Sequence, residues 1–336
     1  GKSKLFAASG LFHTFFQIAL NIIFLAVFRW GITGYLAASV LANVLSGMIV
    51  FIWGRLGTYL AWNVDRKYLK AMLVYAFPLI PNAVFWWIMQ SADRYVITYM
   101  LSSAENGLYA VANKIPTLIT TISSIFFQAW QISSVEEAGS EQKSKFYSNV
   151  FDALSVLLTI CCSGILLFLQ PVYRILTEES FYIGWKSTPF LLCAMVFSCY
   201  SSFLGTNYVA MKETKGVFLT TVCGAVINLA LNIALTPILG TRGTAFATLV
   251  AFLITWIARS VGTRRFVKIQ YSVSGFWIPT ALLLTQACVL TFVSDSMIVQ
   301  AVFLILILAL YGRKIGSYAG LLVQNLKQIR GKVTEK

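Results

Sequence analysis

Charge is what this sequence has least of. Only 11% of its 336 residues are Asp, Glu, Lys or Arg, twelve of them acidic, and histidine occurs once; soluble domains carry about 25% charged residues. So few acids and one imidazole leave little from which to build a general base, a metal-binding acidic pair or an activated nucleophile. His13 sits near the start of an apolar run, while Glu136–Glu137 and Glu178–Glu179 are neighbours in connectors, where adjacent side chains diverge. No Walker loop or dinucleotide fingerprint occurs, which argues against direct ATP use. The six cysteines (Cys161, Cys162, Cys193, Cys199, Cys223, Cys288) lie inside apolar runs without the paired spacing of a zinc site or a disulfide framework. They read as small core residues. Strand-type alternation of apolar and polar residues is also missing, which argues against a membrane barrel.

What the sequence has instead is 58% hydrophobic and 15% aromatic residues, with a mean hydropathy of +0.76. Crossing a hydrocarbon core of roughly 30 Å takes about 20 mostly apolar residues, and such runs recur between short charged connectors. The expected fold class is all-α, a polytopic membrane protein of ten spans. They lie near 8–28, 35–53, 72–101, 107–133, 150–170, 187–209, 216–237, 242–262, 275–293 and 297–312. Pro78 and Pro81 place a kink at the start of the third. The formal net charge of +14 could suggest a nucleic-acid partner, but the cations sit in connectors and tail rather than on an amphipathic face. The bilayer is the expected partner, and nucleic acid is not. Numbered along the ten spans, twenty Lys and Arg fall on one side and five on the other, with Lys114 inside a span. By the positive-inside rule both chain ends are cytoplasmic. The opening Gly1-Lys2-Ser3-Lys4 lacks a Met and a separable signal peptide, and reads as a cut end.

An internal repeat adds order. "IALNI" (Ile18–Ile22) precedes "GITGYLAAS" (Gly31–Ser39), and "LALNI" (Leu229–Ile233) precedes "GTRGTAFAT" (Gly240–Thr248). Both copies run apolar-Ala-Leu-Asn-Ile, then a Gly-x-x-Gly loop, then small residues opening the next helix. The copies are six spans apart and therefore run the same way. If the unit is six helices, spans three to eight form a whole copy. The expected division is then 1–60 as the last two helices of an incomplete N-terminal lobe, 61–270 as a six-helix lobe, and 271–336 as two further helices with a basic tail. The intact protein would have fourteen helices, of which these are the last ten.

Four stretches carry a family likeness: "PLIPNAVFWWIMQSADRYVI" (Pro78–Ile97), "NGLYAVANKI" (Asn106–Ile115), "FFQAWQ" (Phe126–Gln131) and "GAVINLALNIALTPILGTRGTAFAT" (Gly224–Thr248). In that order they resemble the polysaccharide flippases of the multidrug/oligosaccharidyl-lipid/polysaccharide exporter superfamily. The resemblance implies two lobes around a central cavity, in a bacterial cytoplasmic membrane. It implies alternating access that moves undecaprenyl-diphosphate-linked oligosaccharide outward for capsule, O-antigen or exopolysaccharide synthesis, alongside other polysaccharide-assembly membrane proteins. No cofactor is expected; coupling to protons or sodium is left open. The alternatives are a cation-coupled multidrug antiporter of the same superfamily and, from another class, a membrane-embedded glycan polymerase or transferase.

Ser91–Pro116 holds Asp93, Arg94, Glu105 and Lys114 within an otherwise apolar stretch. With a turn at "SSAENG" (Ser102–Gly107), Arg94 and Lys114 lie equally deep in two antiparallel helices, ~15 Å from the turn at ~1.5 Å per residue. Ions at such depth cost at least ~2.5 kcal/mol each and should face protein or water. Two readings stand: an Asp93–Lys114 or Asp93–Arg94 bridge that locks the hairpin, or a net positive lumen suited to a diphosphate or acidic sugar. Asn82, Asn113, Gln128 and Gln131 complete the expected cavity lining, with interhelical hydrogen bonding as their plainer role. Trp86, Trp87 and Trp130 could stack on sugars, although packing or interfacial Trp is commoner. Asn21 and Asn232 are read as packing residues.

Overall fold

The computed structural model describes residues 3–59, 65–137, 141–293 and 296–334. Among these the chain forms twelve α-helices: α1 (Ser3–Asn21), α2 (Gly31–Gly54), α3 (Arg66–Ala76), α4 (Leu79–Met100), α5 (Ser103–Ala112), α6 (Thr117–Glu136), α7 (Lys143–Leu176), α8 (Thr188–Ala210), α9 (Thr214–Leu239), α10 (Thr241–Gly262), α11 (Ile278–Phe292) and α12 (Met297–Thr334). No strand occurs among the described residues. The chain is an all-helical membrane protein, as its apolar runs require.

Eight described helical segments are long and apolar enough to span a bilayer, and a ninth follows if α5 and the first part of α6, bent by 48°, form one broken span. The tenth expected span corresponds to the shorter apolar stretch Met297–Gly312, from which α12 runs on to Thr334. Proline marks the expected break, since Pro78 caps α4 just after α3 ends at Ala76. Pro189 and Pro279 open α8 and α11, where a missing N–H leaves no bond unmade.

The chain divides into two compact units, residues 1–71 and 72–336. In the first, α1 packs on α2, and Gln17 Nε2 donates to Ser39 Oγ at 3.2 Å. In the second, α9 lies between α4 and α10, α10 also packs on α8, and α6 leans on α8. Helix α7 joins α8 to α11 and α12, with Lys314 Nζ paired to Asp152. Helix α8 is the hub: Phe190, Leu192, Cys193, Tyr200, Phe203 and Leu204 are all buried. Beside it Trp130 stacks on Phe203 with ring centroids 4.3 Å apart.

The repeat is visible in backbone geometry. Gly31 and Gly240 both have positive φ, +57° and +61°, a conformation that side-chain-bearing residues rarely adopt. The second glycine of each copy is crowded by the preceding chain. A Cβ on Gly34 would lie 2.9 Å from that of Trp30, and one on Gly243 would strike the Leu235 carbonyl.

Two expectations need correction. Ser102–Gly107 is not a turn: Ser102 is the N-cap of α5, its Oγ accepting from the Glu105 N–H at 3.1 Å, so the chain reverses at Leu101–Ser102. And only Cys162, Cys193 and Cys199 of the six cysteines are buried; Cys161 is half-buried, while Cys223 and Cys288 lie on exposed helix faces.

Candidate functional site

Moving the reversal point back to Leu101–Ser102 changes which residues meet. Asp93 and Tyr109 are now about equally far from it, and Tyr109 Oη donates to Asp93 Oδ2 at 2.7 Å. Asp93 is only 4% exposed and takes two more hydrogen bonds, from Thr248 Oγ1 of α10 (2.7 Å) and Asn232 Nδ2 of α9 (2.8 Å). Asn232 also donates to Asn228 Oδ1 at 3.1 Å, and its own Oδ1 is buried without a protein partner. A carboxylate, two amide carbonyls and two hydroxyls thus converge where α4, α5, α9 and α10 meet. Such a set of hard oxygens can hold a proton or a small cation. Asn232, read as a packing residue, is therefore part of this cluster.

Lys114 and Arg94 are not. Both are exposed, and neither takes part in an ion pair among the described residues, so neither expected bridge forms. Arg94 follows Asp93 by one residue, and the helical turn of about 100° points it off the buried face. Lys114 lies past the end of α5, at its break with α6. There it lines a cavity of about 300 Å³ with Tyr173, Thr177, Glu178 and Phe181. Asn113 Nδ2 turns back to the Tyr109 carbonyl at 3.0 Å.

A larger cavity, about 660 Å³, opens between α4, α6, α8, α9 and α10. Asn82, Trp86, Gln131, Ser134, Thr206 and Arg259 are among its walls. Asn82 and Gln131 thus line one cavity, whereas Gln128 is exposed and outside this lining. Trp86 faces the cavity, while Trp130 packs in the aromatic core, its Nε1 donating to Thr206 Oγ1 at 2.6 Å, and Trp87 is exposed.

Arg259 is the functional residue that sequence reasoning missed. It lies near the end of the eighth expected span, 242–262, and is not among the expected cavity residues, yet it is 3% exposed. Nε donates to Thr220 Oγ1 (3.2 Å), Nη1 to the Ser201 carbonyl (2.7 Å) and Nη2 to Thr221 Oγ1 (2.8 Å). The guanidinium lies over the Trp86 ring, 5.3 Å from its centroid. Thr221 Oγ1 in turn donates to Asn82 Oδ1 at 2.7 Å. No carboxylate lies within 4.0 Å of Arg259 among the described residues. The signal that could have found it is helical period: Thr248, Phe252, Thr255 and Arg259 fall on the one buried stripe of α10.

Residues 16–131, about a third of the chain, match the family model for "Polysaccharide biosynthesis protein". Among solved structures the chain is similar to the lipid II flippase MurJ in an inward closed conformation, 16% identical over 94% of this chain and 67% of that one, with a TM-score of 0.62. It is also similar to a variant of the Vibrio cholerae MATE transporter VcmN, at 12% identity over 78% and 63% of the two chains and a TM-score of 0.64. A MOP superfamily transporter from Pyrococcus furiosus matches at 13% identity over 83% and 62%, with a TM-score of 0.60. No curated protein matches in sequence. At these identities the likeness is one of fold, and the chain spans about two-thirds of the length of the structures it resembles.

Proposed function

Because the chain has the fold of the multidrug/oligosaccharidyl-lipid/polysaccharide exporter superfamily, we propose that it is a flippase. Its cargo on this reading is an undecaprenyl-diphosphate-linked oligosaccharide, moved across the bacterial cytoplasmic membrane by alternating access for surface polysaccharide synthesis. Residues 61–270 supply one transport lobe. The observation that carries the reading is the lining of the 660 Å³ cavity, which offers an indole, side-chain amides, hydroxyls and one cation, with no carboxylate among the described residues. Indole faces and amides suit sugar rings and their hydroxyls, and the match to the polysaccharide biosynthesis family points the same way.

The rival reading, a multidrug antiporter, calls for acidic groups facing cationic cargo. Asp93, the buried carboxylate of this bundle, is already tied to Tyr109, Asn232 and Thr248 and is not among the cavity's lining residues. This supports reading it as the seat of a coupling proton or sodium ion. Asp93, Arg94, Lys114, Asn82, Asn113, Gln128 and Gln131 then divide: Asn82 and Gln131 touch cargo, Asp93 and Asn113 belong to the coupling cluster, and Arg94, Lys114 and Gln128 lie outside both.

The test replaces Trp86 and Gln131 together by Ala in the full chain, expressed in cells whose own polysaccharide exporter is deleted. Loss of surface glycan with accumulation of lipid-linked repeat units, at normal protein levels, is the expected result. Unaltered glycan together with lost drug resistance would favour the antiporter instead.

A further inference from the structure

Arg259 is placed where a neutral residue would be easier to bury. Removing a guanidinium from water costs several kcal/mol unless partners compensate, and every partner it has here is neutral: two threonine hydroxyls, one carbonyl and an indole face. Those bonds engage Nε and one N–H on each terminal nitrogen, which leaves one N–H on Nη1 and one on Nη2 without a partner among the described residues, on a residue that is itself part of the cavity's lining. Space has been kept for this arrangement: a Cβ on Gly205 would lie 2.8 Å from Arg259 Nη1. The Thr220–Thr221–Ser201 clamp therefore holds a full positive charge in a fixed orientation without neutralising it.

The surroundings add direction. The cavity is lined by Val209 at the end of α8, Val217 at the start of α9 and Arg259 near the end of α10. Those helix ends and their connectors carry the exposed cations Lys212, Lys215, Arg264 and Lys268, beside one exposed acid, Glu213, that pairs with Arg265 at 3.5 Å. Clustered exposed cations beside a low-dielectric cavity concentrate anions at its mouth.

We propose that Arg259 is the anion-binding group of this cavity, taking a phosphate-type oxyanion across the N–H pair left free on Nη1 and Nη2. This deepens the flippase reading and rests on it for the identity of the ligand, a diphosphate headgroup entering from the connector side. The anion site itself stands on the clamp and the cavity.

The experiment measures binding to the full chain in maltoside micelles, by quenching of indole fluorescence and by thermal unfolding. Inorganic pyrophosphate is one probe, and undecaprenyl diphosphate in phosphatidylcholine nanodiscs is the other. Arg259→Gln should weaken both at least tenfold, Arg259→Lys should fall between, and Gly205→Ala, which displaces the guanidinium, should weaken binding although the arginine remains. Tighter binding of the lipid than of pyrophosphate assigns the site to a lipid headgroup; equal binding supports the same anion site and assigns it to soluble anions. Should Arg259→Gln fail to fold, Gly205→Ala and Arg259→Lys carry the decision. Wild-type affinity in a folded Arg259→Gln, or in Gly205→Ala when the glutamine variant does not fold, overturns the proposal, as does absence of binding to the wild type. Arg259-dependent binding combined with export indifferent to Trp86 and Gln131 overturns the flippase reading and leaves the anion site standing. The reverse pattern removes the anion site alone.

Discussion

Asp93 and Arg259 are two buried ionisable residues handled differently. Asp93 has its oxygens met by three neutral donors from three other helices, so its network joins α4 to α5, α9 and α10. Hydrogen bonds to a charged acceptor contribute about 1.5–3 kcal/mol. Tyr109→Phe keeps the ring and removes one of them, and should lower stability by roughly that amount, read from thermal unfolding in detergent. Asp93→Asn preserves the shape of the site but cannot exchange a proton or balance a cation. Transport by that variant should lose its response to an imposed pH or sodium gradient, and a gradient response equal to wild type would remove Asp93 from coupling. Part of this was legible beforehand: Asp93 stood out as a carboxylate deep in an apolar run, but its partners did not, since Tyr109 and Thr248 drew no notice and Asn232 was read as packing. Arg259 is hard to pick out by sequence because Arg264 and Arg265 follow it closely at the end of an apolar run, where cations belong to the connectors. Only the helical face it shares with Thr248 and Phe252 separates it from them.

At the scale of elements, the α4–α5 hairpin shows how a one-turn error reassigns chemistry. Ser102-Ser103-Ala104-Glu105 has the Ser-x-x-Glu spacing of a helix N-terminus, yet its Ser and the nearby Asn and Gly also suit a turn. Read as a turn, the segment aligns Arg94 with Lys114; as a cap, it aligns Asp93 with Tyr109. The bend between α5 and α6 was missed for a related reason, since Pro116 sits inside an otherwise continuous apolar stretch. The duplicated Gly-x-x-Gly loops were easier to read because they demand particular residues. Gly240 combines φ of +61° with ψ of −146°, a region nearly closed to other residues. Gly240→Ala should cost ~1–3 kcal/mol. Gly164, within α7 and with nothing within 4 Å of a built Cβ, is the control, for which Ala should be neutral or stabilising by up to about 1 kcal/mol. Unfolding temperatures of the two variants side by side would show it, and equal shifts would mean the loop tolerates a Cβ.

For the molecule as a whole, the two faces of the bundle are set by charge, and the lipid-facing sides by exposed apolar residues such as Leu219, Val226, Ile233, Ile298 and Ile305. Such surface in water would drive aggregation, whereas against acyl chains it needs no partner. On the orientation expected from the skew of Lys and Arg, the connectors at residues 211–213 and 263–272 would face the cytoplasm and the 3₁₀ segment Glu179–Ser187 the opposite side. If so, the cavity holding Arg259 is loaded from inside, from the leaflet where lipid-linked glycan precursors are expected on the flippase reading. Lys215→Cys, Lys268→Cys and Ser180→Cys place new thiols at exposed positions on the two sides. The native background should be low, because Cys162, Cys193 and Cys199 are buried, and half-buried Cys161 and exposed Cys223 and Cys288 lie within apolar spans rather than in connectors; the unsubstituted protein is the control. A membrane-impermeant maleimide added to intact cells should label only position 180, and added to inside-out vesicles only positions 215 and 268. The opposite pattern would invert the protein in the membrane and put the mouth of the Arg259 cavity on the outer face, turning an uptake site for export into a release site.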